Sequence, residues 1–169
     1  MRLLHYILTL ILLSGICAHA HAQKTCTIKK YISADGSLYY VVPHDTIYYT
    51  KESRLMAAVI TDKENFFLSI ITYPKPDAIG KKKEFKDLTL TLANKAELSL
   101  PFFDARFVND STSTVTFLID KKIIDTLKHN QIEKMHLKAP FVDKDFGLIL
   151  HRDLVAEHLA CLKTLETAQ

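Results

Sequence analysis

From Thr25 to about Leu150 the chain runs in short apolar or alternating stretches, each closed by turn-forming residues. This rhythm limits the fold more than any other feature. A strand turns successive side chains to opposite faces, so a period of two marks one buried and one wetted side. Phe85–Ala93 sets Leu88, Leu90 and Leu92 against Thr89 and Thr91. Thr112–Ile119 sets Val115, Phe117 and Ile119 against Thr114 and Thr116, and the run Phe103–Val108 faces it across Asn109-Asp110, a hairpin signal. Arg54–Thr61 and Phe66–Tyr73 flank Asp62-Lys63-Glu64-Asn65. In the second run Phe67, Ile71 and Tyr73 share one face and Phe66, Leu68 and Ile70 the other, which predicts a central strand covered on both sides. Arg54–Ile60 also fits a helical period through Leu55, Met56, Ala58 and Val59. Thr25–Ser33 reads as a first strand ended by Ala34-Asp35-Gly36-Ser37. Leu38–Val42 and Thr46–Thr50 read as the arms of a hairpin around Pro43-His44-Asp45, and Glu97–Leu100 as a short strand before Pro101.

Two segments change period. Asp120 can cap a helix from Lys121 to about His129, with Ile123, Ile124 and Leu127 on one side and Asn130 at the exit. After a strand at Gln131–Lys138 and a last one at Phe146–Leu150, Asp153 can cap a closing helix. Its stripe of Leu154, Val155, Leu159, Leu162 and Leu165 buries one side. Helices do not alternate with strands, which argues against a doubly wound fold. The expected class is α+β, mainly β: an antiparallel sheet or two-layer β-sandwich with a short internal helix and a C-terminal helix.

Residues 1–22 have the pattern of a cleavable secretory signal peptide. Arg2 is their only charge, an apolar run extends from Leu3 to Ile16, and Ala18-His19-Ala20-His21-Ala22 offers overlapping A-x-A cleavage sites. The run is shorter than the roughly 20 apolar residues a membrane helix needs. Ile16 before Cys17 argues against lipidation, where a small residue is expected, so Cys17 leaves with the leader. Residues 23–169 then form a single exported β-rich domain with no membrane span, bound for the periplasm, cell surface or medium. An oxidising compartment suits a bridge between the remaining cysteines, Cys26 and Cys161, which would tie the two ends together. The alternative is two separate thiols.

Charge is nearly balanced, at +3 over the whole chain, and the bases are interleaved with acids. That pattern argues against a nucleic-acid binder. The densest basic stretch, Lys81-Lys82-Lys83 with Lys75 and Lys86, holds Glu84 and follows Pro74, Pro76 and Gly80, as a solvated loop would. Gly36, Gly80 and Gly147 are isolated, so no phosphate-cradling loop is present and no cofactor is implied.

His158 and Cys161 have the i, i+3 spacing of metal ligands, but a disulfide would claim Cys161 and leave His158 as a partly buried core histidine, so no metal is expected. Asp143 and Asp145 are the closest carboxylate pair and read as a solvated turn. Asn109-Asp110-Ser111 is a glycosylation triplet that matters only in a host that glycosylates exported proteins.

The most suggestive residues are aromatic: Tyr39-Tyr40 and Tyr48-Tyr49, with Tyr31 nearby. Neighbours on a strand point to opposite faces, so each pair places one ring inward and one outward. Outward rings can stack on a sugar or hold a partner, and cross-strand packing of tyrosine on tyrosine is the structural alternative. The leading reading is therefore a non-catalytic exported domain that binds or assembles with a macromolecule or glycan through these tyrosines, Tyr40 and Tyr48 above all. One rival is a small secreted hydrolase assembled from distant residues such as His136, His151 and Asp143. Another is an exported inhibitor or chaperone-like factor offering a sheet edge.

Overall fold

The computed structural model describes residues 26–33, 36–73, 85–107, 112–139, 142–147 and 150–167. The leader, the Lys81-Lys82-Lys83 loop and the Asn109-Asp110-Ser111 triplet lie outside the described residues. The strands are β1 (Lys29–Ile32), β2 (Leu38–Val41), β3 (Asp45–Tyr49), β4 (Arg54–Thr61), β5 (Phe66–Tyr73), β6 (Leu88–Leu92), β7 (Glu97–Leu100), β8 (Phe102–Phe107), β9 (Ser113–Ile119), β10 (Ile132–Ala139) and β11 (Val142–Gly147). The helices are α1 (Lys121–His129) and α2 (Leu154–Thr167).

The strands form two antiparallel sheets. A seven-stranded sheet has the order β1-β2-β4-β5-β9-β8, with β3 also paired to β4, and a four-stranded sheet has the order β11-β10-β6-β7. The class is α+β, mainly β, as the periodicity predicts. The chain passes from one sheet to the other at Pro101, between Leu100 at the end of β7 and Phe102 at the start of β8. Proline has no N–H to give a ladder, and here its carbonyl accepts from Leu118 N at 2.9 Å.

Register explains the burial. β4 and β5 pair continuously from Arg54↔Tyr73 to Thr61↔Phe66, and β5 pairs β9 from Phe66↔Ile119 to Thr72↔Ser113. One face of the seven-stranded sheet therefore collects Leu55, Ala57, Val59, Leu68, Ile70, Val115, Phe117 and Ile119, all buried. These join Leu88, Leu90, Leu92, Met135, Leu137 and Phe146 of the four-stranded sheet in one core. The β4–β5 turn is fixed by its own side chains: Asp62 Oδ1 accepts from Glu64 N (2.9 Å) and Asn65 N (2.6 Å), and Thr61 Oγ1 donates to Asn65 O (2.7 Å).

Asp120 caps α1 by accepting from Lys122 N at 2.8 Å, and Lys128 and His129 occupy the last turn, where cations suit the helix dipole. Asn130 closes the helix with its side chain and not with left-handed backbone: its φ is −133°, and Nδ2 donates to Thr126 O at 2.9 Å. Asp153 opens α2 through its carbonyl, which accepts from Glu157 N at 2.9 Å, while its carboxylate accepts from Gln131 Nε2 at 3.1 Å. α2 buries Leu154, Val155, Leu159 and Leu162 and packs on α1 and β4. Cys161, on the same helix, is bonded to Cys26, with Cα atoms 5.5 Å apart and a sequence separation of 135. On the chain-entropy account a loop of this size stabilises by about 4–5 kcal/mol.

Two local expectations are corrected, and a third holds over part of its length. β2 and β3 are not hairpin partners: both pair with the same edge of β4, β2 at Ile60 and Thr61 and β3 from Arg54 to Ala57. The Val42-Pro43-His44 stretch carries the chain past the gap between them. At that gap Val59 N donates to His158 Nδ1 of α2 at 3.2 Å, replacing the missing ladder acceptor, and His158 Nε2 lies 3.9 Å from Asp45 Oδ2. Asp143 and Asp145 are not in a turn, because the last strand is Val142–Gly147 and contains both. Lys144 keeps the alternation by laying its stem over Tyr48 and Phe146, with Nζ 5.9 and 5.4 Å from the ring centres. Finally, β5 is central as expected: its second face is buried at Phe67 and Ser69 and opens only toward the half-exposed Tyr73.

Candidate binding face of the seven-stranded sheet

The candidate face is the side of the seven-stranded sheet turned away from the core. Register places on it Tyr49, Arg54 and Tyr73 in one row, Thr46, Met56, Ile71 and Thr114 in the next, and Val41, Ile60, Phe67 and Leu118 further along. A solvent-facing sheet surface usually alternates to polar residues, and the opposite side of the same molecule does. Here four aromatic rings are largely in water: Tyr49 at 61%, Phe103 at 53%, and Tyr31 and Tyr73 at 51% exposure each.

Two aromatic centres result. At one end Tyr39 meets Phe67 edge-on at 6.3 Å, and Phe67 meets Phe103 at 4.7 Å, giving a row of rings with Phe67 as its buried floor. At the other end Tyr49 and Tyr73 flank a depression of about 320 Å³ over Met56 and Ile71. Its rim is the Thr50–Ser53 loop, where Thr50 N donates to Ser53 O (2.8 Å) and Thr50 Oγ1 accepts from Ser53 N (3.0 Å). Arg54 is fixed by two donations to Thr46 Oγ1, from Nε at 3.1 Å and from the guanidinium terminus at 2.8 Å. Between the centres His44 Nε2 meets Ser69 Oγ at 3.2 Å. Burial holds the His44 imidazole below its ordinary pKa, because a proton there would have to be desolvated.

The tyrosines named from sequence divide as the alternation rule requires. Tyr39 and Tyr49 are on this outer face. Tyr40 is buried on the inner side with Lys63 Nζ 5.5 Å from its ring centre, and Tyr48 is half-buried there, edge-on to Phe146 at 5.2 Å. Tyr40 and Tyr48, chosen from sequence as the binding pair, are thus the inward ones. Tyr31 is exposed on β1 and pairs with Tyr39. Tyr73 and Phe103 join the site only through register. The sequence does align Tyr73 with Phe67 and Ile71, but nothing local says that this face is left open.

The residues of the hydrolase reading only partly converge. His136 lies between two carboxylates, with Nδ1 2.8 Å from Asp145 Oδ1 and Nε2 3.3 Å from Asp143 Oδ1. Lys134 and Lys138 close the ladder on Asp145 (3.2 Å) and Asp143 (3.1 Å). The His136 bond, and then that of Lys134, holds the Asp145 carboxyl below its ordinary range. His151 is elsewhere: the next residue, Arg152, accepts from Ile132 N, four residues along β10 from His136, or roughly 13 Å at strand rise. Among the described residues no group of three His, Cys, Asp or Glu side chains could hold a metal, and the disulfide takes Cys161 from any pairing with His158. No helix among them is long and apolar enough to cross a membrane.

Comparison with known proteins yields no match to any family model, curated protein or solved structure.

Proposed function

We propose that this chain is an exported, non-catalytic binding domain whose outer aromatic face takes a glycan. Support for export comes from the leader pattern of residues 1–22 together with the Cys26–Cys161 disulfide, which persists in oxidising compartments. The observation that carries binding is the gathering of exposed Tyr49, Tyr73 and Phe103 on one sheet face, where burial does not account for these rings. Aromatic rings offer flat apolar area to the C–H faces of a sugar, and the same face supplies Thr46, Thr114, Thr116 and the Arg54 guanidinium for its hydroxyls.

The sheet edges argue against the rival in which a partner strand is added. β1 carries Lys29 and Lys30, β7 carries Glu97, β8 carries Asp104 and Arg106, and β11 carries Asp143, Lys144 and Asp145. Charges on edge strands are the usual device that discourages strand addition.

The test is titration of the disulfide-bonded protein with soluble cello-, chito-, xylo- and manno-oligosaccharides, followed by tyrosine fluorescence. At least one series should saturate, and Tyr49→Ala with Tyr73→Ala should weaken it at least tenfold, about 1.4 kcal/mol. Binding by none of the four, or equal binding by the double variant, overturns the reading.

A further inference from the structure

On the other side of the seven-stranded sheet a second depression of about 300 Å³ opens where the β4–β5 turn, α1 and α2 meet. Its floor is apolar, made by Phe66, Ile124 and Leu159, and its walls carry Lys63, Lys121, Lys128 and Lys163 against Glu64 and Asp125. Lys128 is paired with Asp125 at 3.4 Å. That leaves Lys63, Lys121 and Lys163 facing a single carboxylate, Glu64. Since the whole chain carries only +3, positive charge is concentrated around one concavity that has a greasy base.

One lysine of the wall is held by its turn, and two on the helices lack acidic partners among the described residues. Lys63 sits at φ 81°, in the left-handed region that a lysine enters only at an energetic cost. The turn bonds of Thr61, Asp62 and Asn65 hold it there, and Thr61 Oγ1 accepts from Lys63 N itself at 2.9 Å. Glycine or asparagine would serve the turn with less strain. On the helices, Lys121 and Lys163 have no carboxylate within ion-pair distance among the described residues.

We infer that this depression binds an anion bearing a short apolar arm, with the charged head among Lys63, Lys121 and Lys163 and the arm on Phe66, Ile124 and Leu159. Ammonium groups around a concavity attract a phosphate or carboxylate, and the apolar floor favours an attached alkyl chain. The volume sits at the small end of the ligand-pocket range, roughly 300–1,000 Å³, which suits a single short chain. The site is independent of the glycan face, since Phe66 pairs with Ile119 on the inner side of the sheet.

Calorimetric titration of the disulfide-bonded protein with octyl phosphate, kept below its micelle concentration, tests this. Saturable binding is expected, at least tenfold tighter than that of inorganic phosphate or octyl glucoside and weakened by added salt. Lys121→Gln with Lys163→Gln should lower the affinity at least tenfold without loss of cooperative unfolding, and Ile124→Ser should lower it for octyl phosphate and not for phosphate. Tyr49→Ala with Tyr73→Ala should leave it unchanged. Vesicles of phosphatidylcholine with and without phosphatidylglycerol separate a membrane headgroup from a free amphiphile as the source. Absence of saturation, full affinity in the double lysine variant, or loss of binding in the tyrosine variant overturns the inference.

Discussion

The two sheets have outer faces built on the same alternation and written in opposite chemistries. On the four-stranded sheet, Thr89, Thr91, Lys134, His136, Asp143 and Asp145 alternate with the buried leucines, and the charges pair across strands. Such a face is adapted to water and adds little to stability, because exposed ion pairs are worth about 0–1 kcal/mol each. On the seven-stranded sheet the equivalent positions hold Met56, Ile60, Phe67, Ile71, Leu118 and exposed tyrosines. Folding needs one buried side per sheet. This second side is buried at Phe67 and Ser69 and exposed at its aromatic ends, and at those exposed rings the requirements of a fold and those of a ligand can be told apart.

The largest expected effect lies on the inner side. Phe117 is fully buried at the centre of β9, and Phe117→Ala should cost about 3–5 kcal/mol in chemical denaturation, as large-to-small core changes do. A loss under 1 kcal/mol would mean that the shared core is misplaced. Next is the disulfide. Cys26→Ala with Cys161→Ala should cost about 2–5 kcal/mol, and an unchanged midpoint would show that the two ends are held without it.

A smaller effect distinguishes the middle of the aromatic face from its ends. Because burial depresses the His44 pKa, the unfolded chain takes up a proton below pH 6.5 that the folded chain refuses. The His44 contribution is therefore present above its ordinary pKa and lost as pH falls through the depressed one. The denaturation midpoint should drop between pH 7 and pH 5, and His44→Gln, which can keep the bond to Ser69, should flatten that slope. An identical slope in the variant would remove His44 from the account. Smallest is the polar ladder: His136→Ala should change stability at neutral pH by under about 1 kcal/mol. A core-sized loss would show that this face, too, is structural.

Much of the fold was legible because it rests on period. The alternation of Leu88, Leu90 and Leu92 and of Val115, Phe117 and Ile119 marks buried faces without further help, and Asp120 marks the start of a helix. What alternation cannot supply is the identity of the neighbour. Pro43 and His44 look like a hairpin turn, but they carry the chain along the edge of β4, and only the His158 contact from 99 residues away completes that edge. The charged Asp143-Lys144-Asp145 reads as a turn unless the lysine stem is counted as apolar. For the candidate site, sequence gave the in-and-out alternation of the tyrosine pairs but not its sign, since the choice between Tyr40 and Tyr39 depends on which side the second sheet occupies. Tyr73 and Phe103 were legible as apolar residues and not as exposed ones.

Whether the exposed rings of the outer face serve binding and not folding is decided by one pair of substitutions measured two ways. Tyr49→Ala with Tyr73→Ala should leave the unfolding free energy within about 1 kcal/mol of the parent, because neither ring is buried, and should weaken binding of the responsive oligosaccharide at least tenfold. A loss of 3 kcal/mol or more with affinity intact, roughly the cost of a core truncation, would contradict the binding role.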